Sequence, residues 1–215
     1  MPRRRAQYFN GNQECWTLSG TGGTKSLTLG DDQGFVWTGT QSLAMLCTAS
    51  SGQQTCVATA HRGVDFAADR VRGFWRFAID HTVAQFNEIL FWIEFGDGTN
   101  LTNFYLTLDS NYGGNDVITI LIEPSTFESL AAVYPWSLVE TTGIWNELEI
   151  EFNPTSHEFT FMRLNSTYAY NPTTSALDWS VAASPPYMRN IISLQNTTVQ
   201  RQLYIDESWI DLIIS

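Results

Sequence analysis

The chain has 215 residues, 22 of them acidic and 11 basic, which gives a formal net charge of −11 at pH 7. Apolar residues make up 43% of the sequence and aromatic residues 13%, more than a disordered chain carries. The acidic balance argues against broad binding to nucleic-acid phosphates, no apolar run approaches the roughly 18 residues of a membrane span, and residues 1–10 lack the apolar core of a secretory signal.

The first fifteen residues have a basic, polar composition that differs from the acidic remainder of the chain. Arg3, Arg4 and Arg5 form a run of positive charge, and the residues that follow them are mostly polar. This pattern predicts a flexible arm over residues 1–15, attached to one domain at residues 16–215. Through its three arginines the arm can bind the acidic surface of a neighbouring protein; the alternative is a solvated terminus.

Three cysteines, Cys15, Cys47 and Cys56, do not describe a disulfide scaffold. A two-residue turn at Ser51 and Gly52 would place Cys47 opposite Cys56 in a β-hairpin. That placement allows a disulfide, and it equally allows two thiols that pack as small apolar residues. No Cys-x-x-Cys motif or histidine stands at the ligand spacing of a zinc site, so no zinc is expected.

Alternation of apolar and polar residues with period two dominates the rest of the chain and predicts β-strands. Strands are predicted at residues 27–29, 43–48, 54–60, 74–80, 88–95, 103–109, 117–123, 145–152, 158–164 and 203–214. Their inward-facing residues give the predicted core: Trp75, Phe77, Ile79, Phe91, Ile93, Leu106, Ile120, Leu148, Ile150, Phe159 and Phe161.

One segment carries a helix signal. Ser125 and Glu128 have the Ser-x-x-Glu spacing of a capping box, and Pro135 would end a helix that began there. Because strands dominate and follow one another at short spacing, the sequence indicates an all-β sandwich or barrel in one domain.

Five segments, taken in order, resemble a known family. They read GTQSL at 39–43, GFWRF at 73–77, WNELEIEF at 145–152, FTFMRLNST at 159–167 and LYIDE at 203–207. Together they resemble the concanavalin A-like jelly roll that legume-type lectins, laminin G-like domains and laminarinase-type glycosidases share. The resemblance implies a single jelly-roll β-sandwich of two antiparallel sheets, and it implies no one function, because folds of this kind host many.

Glu147, Glu149 and Glu151 alternate along one predicted strand and resemble the Glu-x-Asp-x-Glu strand motif of laminarinase-type enzymes. The resemblance would make Glu147 the nucleophile and Glu151 the acid/base, because retaining glycosidases need two carboxyl groups about 5–5.5 Å apart. Glu149 departs from the family, which has aspartate there. The favoured interpretation is that the three acids are solvent-facing residues of an amphipathic strand and that the chain is not an enzyme.

Trp92, Glu94, Tyr105 and Asp109 are predicted on the outward faces of two successive strands. Aromatic rings stack on the apolar faces of sugars, and carboxylates accept hydrogen bonds from sugar hydroxyls, so this mixture suits a glycan site. The alternative is that the outward tryptophan packs under a loop or against another subunit.

A weaker candidate is a calcium site. Asp109, Asn111 and Asp116 surround Gly113 and Gly114 and offer oxygen ligands in a turn. Laminin G-like and lectin relatives often hold calcium in such loops, although Asn, Asp and Gly are also ordinary hairpin residues. We predict no cofactor from the sequence, and calcium is the one weak candidate.

The leading functional hypothesis is a non-enzymatic virion structural protein, a capsid decoration or tail-fibre component at the virion surface. It depends on the basic arm, the acidic body, the lack of a complete catalytic set and a composition with a single lysine, Lys25, which is similar to phage structural proteins. It predicts contacts with a capsid or tail protein and a homo-oligomer, with no nucleic-acid or membrane partner. The alternatives are a lectin-like module that binds surface glycans and a laminarinase-type glycoside hydrolase.

Overall fold

Extended backbone accounts for nearly all of the chain that the structure describes. The computed structural model describes residues 3–9, 16–21, 24–30, 42–47, 54–63, 68–80, 88–112, 115–122, 126–131, 145–165, 168–170, 176–181, 185–196 and 201–214. Within these ranges, no helix is long and apolar enough to cross a membrane.

The described residues contain sixteen strands. They are β1 (Arg3–Phe9), β2 (Trp16–Thr21), β3 (Lys25–Gly30), β4 (Ser42–Cys47), β5 (Gln54–Gly63), β6 (Arg70–Asp80), β7 (Glu88–Gly96), β8 (Asn100–Tyr112), β9 (Asn115–Ile122), β10 (Thr126–Ala131), β11 (Asn146–Asn153), β12 (Glu158–Leu164), β13 (Tyr168–Tyr170), β14 (Asp178–Val181), β15 (Tyr187–Asn196) and β16 (Arg201–Ile213).

The strands form two eight-stranded antiparallel sheets. Sheet A has the order β13-β12-β11-β6-β16-β4-β3, with β1 added beside β16. Sheet B has the order β10-β9-β8-β7-β15-β5-β2, with β14 added beside β8. The sequence prediction of an all-β sandwich of two antiparallel sheets is confirmed.

The core lies between the two sheets because each central strand turns its apolar residues toward the other sheet. Most of the predicted core residues are buried there: Trp75, Phe77, Phe91, Ile93, Leu106, Leu148, Ile150 and Phe159. The side chains of Ile79 and Ile120 lie outside the described part of the structure, so their place in the core stays a prediction.

Phe161 was predicted in the core and is partly exposed instead. The register of β12 against β11 shifts at this point, with Phe159 opposite Phe152 and Phe161 opposite Glu151. Thr160 is the extra residue of a β-bulge, which reverses the alternation of the strand. As a result Met162, two residues from Thr160, is the side chain buried in the core.

A second bulge, in β16, brings a hydroxyl group into the core. Asp206 is the extra residue between the pairs that Ile205 and Glu207 form with β6, so Ser208 points inward and is fully buried. Its Oγ lies 2.6 Å from Nδ2 of the fully buried Asn190, which donates to it.

Asn190 also accepts a hydrogen bond from the core tryptophan of the opposite sheet. Trp75 Nε1 donates to Asn190 Oδ1 at 2.9 Å, and both residues are fully buried. Trp75, Asn190 and Ser208 therefore form a polar chain that joins sheet A to sheet B inside an otherwise apolar core. We refer to these three residues as the core triad.

The N-terminal residues predicted to be a flexible arm are part of sheet A over Arg3–Phe9. The backbone of β1 pairs with β16, with Arg3 opposite Ile213 and Arg5 opposite Asp211. Main-chain pairing satisfies the backbone hydrogen-bonding groups of this segment that face β16, which composition alone could not show. The boundary between arm and domain at residue 15 stays a prediction.

The prediction of a hairpin that brings Cys47 and Cys56 together is wrong. Cys47 lies in β4 of sheet A, opposite Lys25 and Arg201. Cys56 lies in β5 of sheet B, opposite Leu194. The successive strands β4 and β5 therefore belong to different sheets, and the chain passes from sheet A to sheet B between them.

The helix predicted from the capping-box spacing of Ser125 and Glu128 is also wrong. Residues Thr126–Ala131 form β10, whose backbone pairs with β9. The backbone pairing of β10 with β9 outweighs the local capping preference, because tertiary contacts routinely override local helix propensity.

Candidate functional site

Trp92 and Tyr105 lie side by side on the face of sheet B that points away from the core. They stand opposite each other in the register of β7 and β8, and their ring centroids are 5.3 Å apart with planes tilted by 53°. Both side chains are partly exposed, whereas Phe91 and Phe104 beside them are fully buried on the inner face. We refer to Trp92 and Tyr105 as the aromatic shelf.

Two polar residues adjoin the aromatic shelf. Trp92 Nε1 donates to Asn103 Oδ1 at 3.2 Å, and Asn103 Nδ2 donates to Asp178 Oδ2 at 3.0 Å. Asn103 lies two residues before Tyr105 and therefore on the same face of β8. Asp178 is brought there by β14, which pairs with β8 from the other side.

Sequence reasoning missed both polar residues. The two-residue spacing before Tyr105 could have identified Asn103. No local signal could have identified Asp178, because the chain passes through sheet A between β8 and β14.

Glu94, predicted as a glycan contact, is nearly buried and already bonded. The Tyr187 hydroxyl donates to Glu94 Oε1 at 2.5 Å, and Arg189 Nη1 lies 3.2 Å from Glu94 Oε2. Arg189 also places its guanidinium 5.0 Å from the centroid of the Tyr187 ring. Glu94 therefore anchors Tyr187 and Arg189 next to the shelf. The fourth predicted residue, Asp109, pairs with Glu88 in the backbone register, and its side chain lies outside the described part of the structure.

The outer face of sheet B next to the aromatic shelf is sheltered from solvent. Ile191, opposite Trp92 in the register of β15, is 5% exposed, and Leu90 and Thr107 on the same face are 6% and 5% exposed. The aromatic shelf therefore borders a part of the sheet whose outer side chains are covered by the protein itself.

The bond between Tyr187 and Glu94 predicts a pH dependence. Burial, together with this hydrogen bond, raises the pKa of Tyr187 to about 12 from its ordinary value of 10.0. Between pH 10 and 12 the unfolded chain loses this proton while the folded chain keeps it, so the contribution to stability is complete below pH 10 and declines across that window. An absorbance titration of tyrosinate should lose a step near pH 12 in Tyr187→Phe. A wild-type titration in which every tyrosine ionises with the ordinary pKa of about 10 would contradict the assignment.

A second cluster lies where the β7–β8 turn, the β11–β12 turn and β14 meet. The imidazole of His157 stacks on the indole of Trp179, with ring centroids 4.5 Å apart and planes 1° from parallel. His157 Nδ1 lies 2.8 Å from Thr102 Oγ1, which donates its own proton to the Pro154 carbonyl at 3.2 Å. Because the threonine hydroxyl has one proton, its donation to Pro154 requires Nδ1–H of His157 as the donor to Thr102, whereas the other tautomer of His157 accepts from Thr102.

Burial favours the neutral form of His157, and hydrogen bonds favour the ionised form of Asp97. Burial lowers the pKa of His157, and the neighbouring Asp97 carboxylate opposes that shift. Burial would raise the pKa of Asp97, but hydrogen bonds from Asn100 and Thr99 outweigh it and lower the pKa. Their backbone N–H groups donate to Asp97 Oδ1 at 2.6 and 2.7 Å, which fixes the carboxylate in the turn.

The three glutamates predicted on β11 lie on the outer face of sheet A, and arginines bind them. Glu149 and Glu151 are buried, which corrects the prediction that they face solvent; Glu147 is partly exposed. Arginines from β6 and β12 contact both oxygens of Glu149, both oxygens of Glu151 and Oε1 of Glu147. The contacts are Arg70–Glu151 3.1 Å, Arg72–Glu151 2.9 Å, Arg72–Glu149 3.4 Å, Arg163–Glu149 2.6 Å and Arg76–Glu147 2.7 Å.

The calcium candidate falls largely outside the described residues. Gly113 and Gly114 are not described, nor are the side chains of Asp109, Asn111 and Asp116, so this site stays a prediction. Within the part of the chain that is described, no group of three or more His, Cys, Asp or Glu residues is placed to hold a metal ion.

No family model matches the sequence, and no curated protein matches it. Solved structures do resemble the fold. The chain is similar to the Bauhinia forficata lectin in complex with GalNAc, with a TM-score of 0.60, 13% identity and 98% of each chain covered. It is similar to peanut lectin with a 9mer peptide, with a TM-score of 0.57, 10% identity and 100% of each chain covered.

A third structure agrees with these two. The legume lectin-like domain from Entamoeba histolytica matches with a TM-score of 0.56 and 8% identity, over 94% of this chain and 91% of that one. At such low identity the similarity shows the fold alone. The chain therefore has the concanavalin A-like jelly roll of legume lectins, as its sequence segments predicted.

Proposed function

We propose that this chain is a non-catalytic carbohydrate-binding domain that holds a saccharide on the outer face of sheet B. The aromatic shelf carries the proposal, because it joins two partly exposed rings in register to an oriented amide and carboxylate. An aromatic face binds the C–H side of a sugar ring, and the Asn103 and Asp178 groups next to it have the chemistry to bond sugar hydroxyls.

The arrangement is also preorganised, which favours binding. Trp92 is fixed by its bond to Asn103, and Glu94 holds Tyr187 and Arg189 beside the shelf. Side chains that are already ordered lose little conformational entropy when a ligand arrives, so weak polar contacts contribute more to affinity.

The comparisons support the proposal through what the similar proteins bind. The Bauhinia forficata lectin was solved with GalNAc and the lectin UEA-II with galactose. Both share this fold at about the full length of the chain, with 98% of each chain covered. Because the sequences are 12–13% identical, the sugar that this chain binds is a separate question, and a panel of glycans is needed.

The role of virion decoration or fibre protein stays a prediction from sequence, together with its capsid or tail partner, its homo-oligomeric state and its place at the virion surface. One of its premises is weakened, since Arg3–Phe9 pairs with β16 of its own sheet rather than extending as an arm. Sugar binding and a place on a particle are compatible functions.

Glycoside hydrolysis by Glu147 and Glu151 has less support. A retaining mechanism needs an exposed carboxylate pair on both sides of the scissile bond. Glu151 is buried, and its two carboxylate oxygens form ion pairs with Arg70 and Arg72. Glu147 accepts two hydrogen bonds from Arg76.

A glycan array followed by titration calorimetry tests the proposal. The full chain should bind at least one saccharide, and Trp92→Ala should lower its affinity by about tenfold or more, because an aromatic stacking surface is lost. Glu147→Gln is the matched control on the other sheet: it should bind the saccharide like the wild type. Equal affinities in wild type and Trp92→Ala, or no binding to any glycan, would contradict the proposal.

A further inference from the structure

Trp179 and Val181 are the exposed large apolar side chains of the described residues. Trp179 is 46% exposed and Val181 76% exposed. Both lie in β14 and, because side chains alternate along a strand, they share the face opposite to that of Asp178. They are therefore separate from the aromatic shelf, to which Asp178 belongs through Asn103.

Trp179 is held in place from one side. The parallel stack against His157 covers one face of the indole, while the residue as a whole remains 46% exposed. His157 is in turn fixed by its bond to Thr102 and by its carbonyl, which accepts the Leu177 N–H at 2.7 Å. The backbone φ of His157 is 57°, in the left-handed region. Non-glycine residues adopt this conformation at a cost in free energy, and such residues cluster at functional sites.

A fixed carboxylate adjoins this ring. In the register of β14 with β8, Trp179 is opposite Thr102 and Val181 is opposite Asn100. Asn100 donates through its backbone N–H to Asp97, so the turn that carries Asp97 lies beyond the Val181 end of the strand. His157 contacts Thr102, two residues along β8 from Asn100, so the Asp97 turn and the ring stack lie at the same end of β8.

We propose that Trp179 is a second saccharide-binding platform, on which the apolar face of one pyranose ring stacks while Asp97 accepts hydrogen bonds from its hydroxyls. An oriented aromatic face next to a fixed acceptor is the combination that a sugar ring requires, with one apolar side and a polar edge. A chain with both platforms would bind two sugar residues at once, which raises the affinity for branched or clustered glycans.

This inference rests on the proposed carbohydrate-binding function, and the two platforms can be tested separately. The probes are galactose, N-acetylgalactosamine, glucose and mannose, each titrated into the full chain while the indole N–H signals are followed by NMR. The bound sugar should shift the signals of Trp92 and Trp179 as two independent sites. Trp179→Ala should weaken the second site about tenfold or more and leave the first unchanged, and Trp92→Ala should do the reverse.

Two further variants separate ring stacking from a general apolar patch. His157→Phe keeps a ring under Trp179 and should keep the second site, whereas His157→Ala should weaken it because the indole loses its support. Val181→Ser should weaken binding at the second site less than Trp179→Ala does, because it leaves the indole in place.

The NMR titration distinguishes the two platforms. Sugar-induced shifts at Trp92 alone would overturn the second platform and leave the first in place. Shifts at Trp179 alone would overturn the aromatic shelf as the site. A third result is that no sugar shifts the Trp179 signal and that Trp179→Ala or Val181→Ser reduces self-association in sedimentation. That result would show that Trp179 and Val181 form a contact between copies of the chain, and it would overturn the inference.

Discussion

Replacing Asn190 with alanine should lower the free energy of unfolding by about 3 kcal/mol. The substitution leaves a cavity between the sheets and removes the amide group that bonds both Trp75 and Ser208. The indole N–H of Trp75 and the hydroxyl of Ser208 would then be buried without these bonds, since all three residues are fully buried. Urea denaturation followed by tryptophan fluorescence measures the change.

Graded controls separate the hydrogen bonds from the cavity. Ser208→Ala removes one hydroxyl and should cost about 1 kcal/mol, because Asn190 keeps its bond to Trp75. Trp75→Phe removes the N–H group, so Asn190→Ala should cost less in that background than in the wild type. Additive losses in this double-mutant cycle would show that the core triad does not act as a unit.

Replacing Arg72 with methionine should destabilise the protein by about 2 kcal/mol. Arg72 contacts both Glu149 and Glu151 on the outer face of sheet A, and these two carboxylates are buried. Removing their shared cation leaves two buried negative charges less compensated, although Arg70 and Arg163 remain as partners. Thermal and urea unfolding of the variant measure the loss.

Arg163→Met is the matched control for Arg72→Met. Among the described residues, the acidic partner of Arg163 is Glu149. The Arg163 side chain is 50% exposed, so solvent screens the interaction and its loss should cost less than about 1 kcal/mol. If the two variants lost the same stability, the compensation of Glu149 and Glu151 by Arg72 would not be the stabilising contact that we describe.

The strands could be predicted from the sequence because alternation is a local signal. Phe91 and Ile93 alternate with Trp92 and Glu94, and that pattern alone places Trp92 on the outer face of its strand. The same local rule failed at Phe161, since a bulge at Thr160 reverses the alternation and depends on how β12 meets β11.

The charged groups could not be placed from their own strand. Glu149 and Glu151 are polar residues of an amphipathic strand, and their burial follows from the arginines of β6 and β12, which the topology brings beside them. Likewise, Asp178 reaches Asn103 only through the pairing of β14 with β8. Contacts between distant segments decide both features, and alternation carries no information about them.

Core polar groups were missed for a related reason. Asn190 lies among apolar residues of β15, and nothing nearby in sequence indicates a partner for it. Its partners come from β6 and from β16, where the bulge at Asp206 turns Ser208 inward.

The most direct test of the account is an NMR titration of the indole N–H of Trp92 with the saccharide that the glycan array identifies. Trp92 Nε1 donates to Asn103 at the aromatic shelf, so a sugar bound there should shift this signal in a saturable way. The shift should be absent in Tyr105→Ala if both rings of the shelf form the site, and retained in Glu147→Gln. A saccharide that binds the chain and leaves the Trp92 signal unmoved would contradict the proposed site.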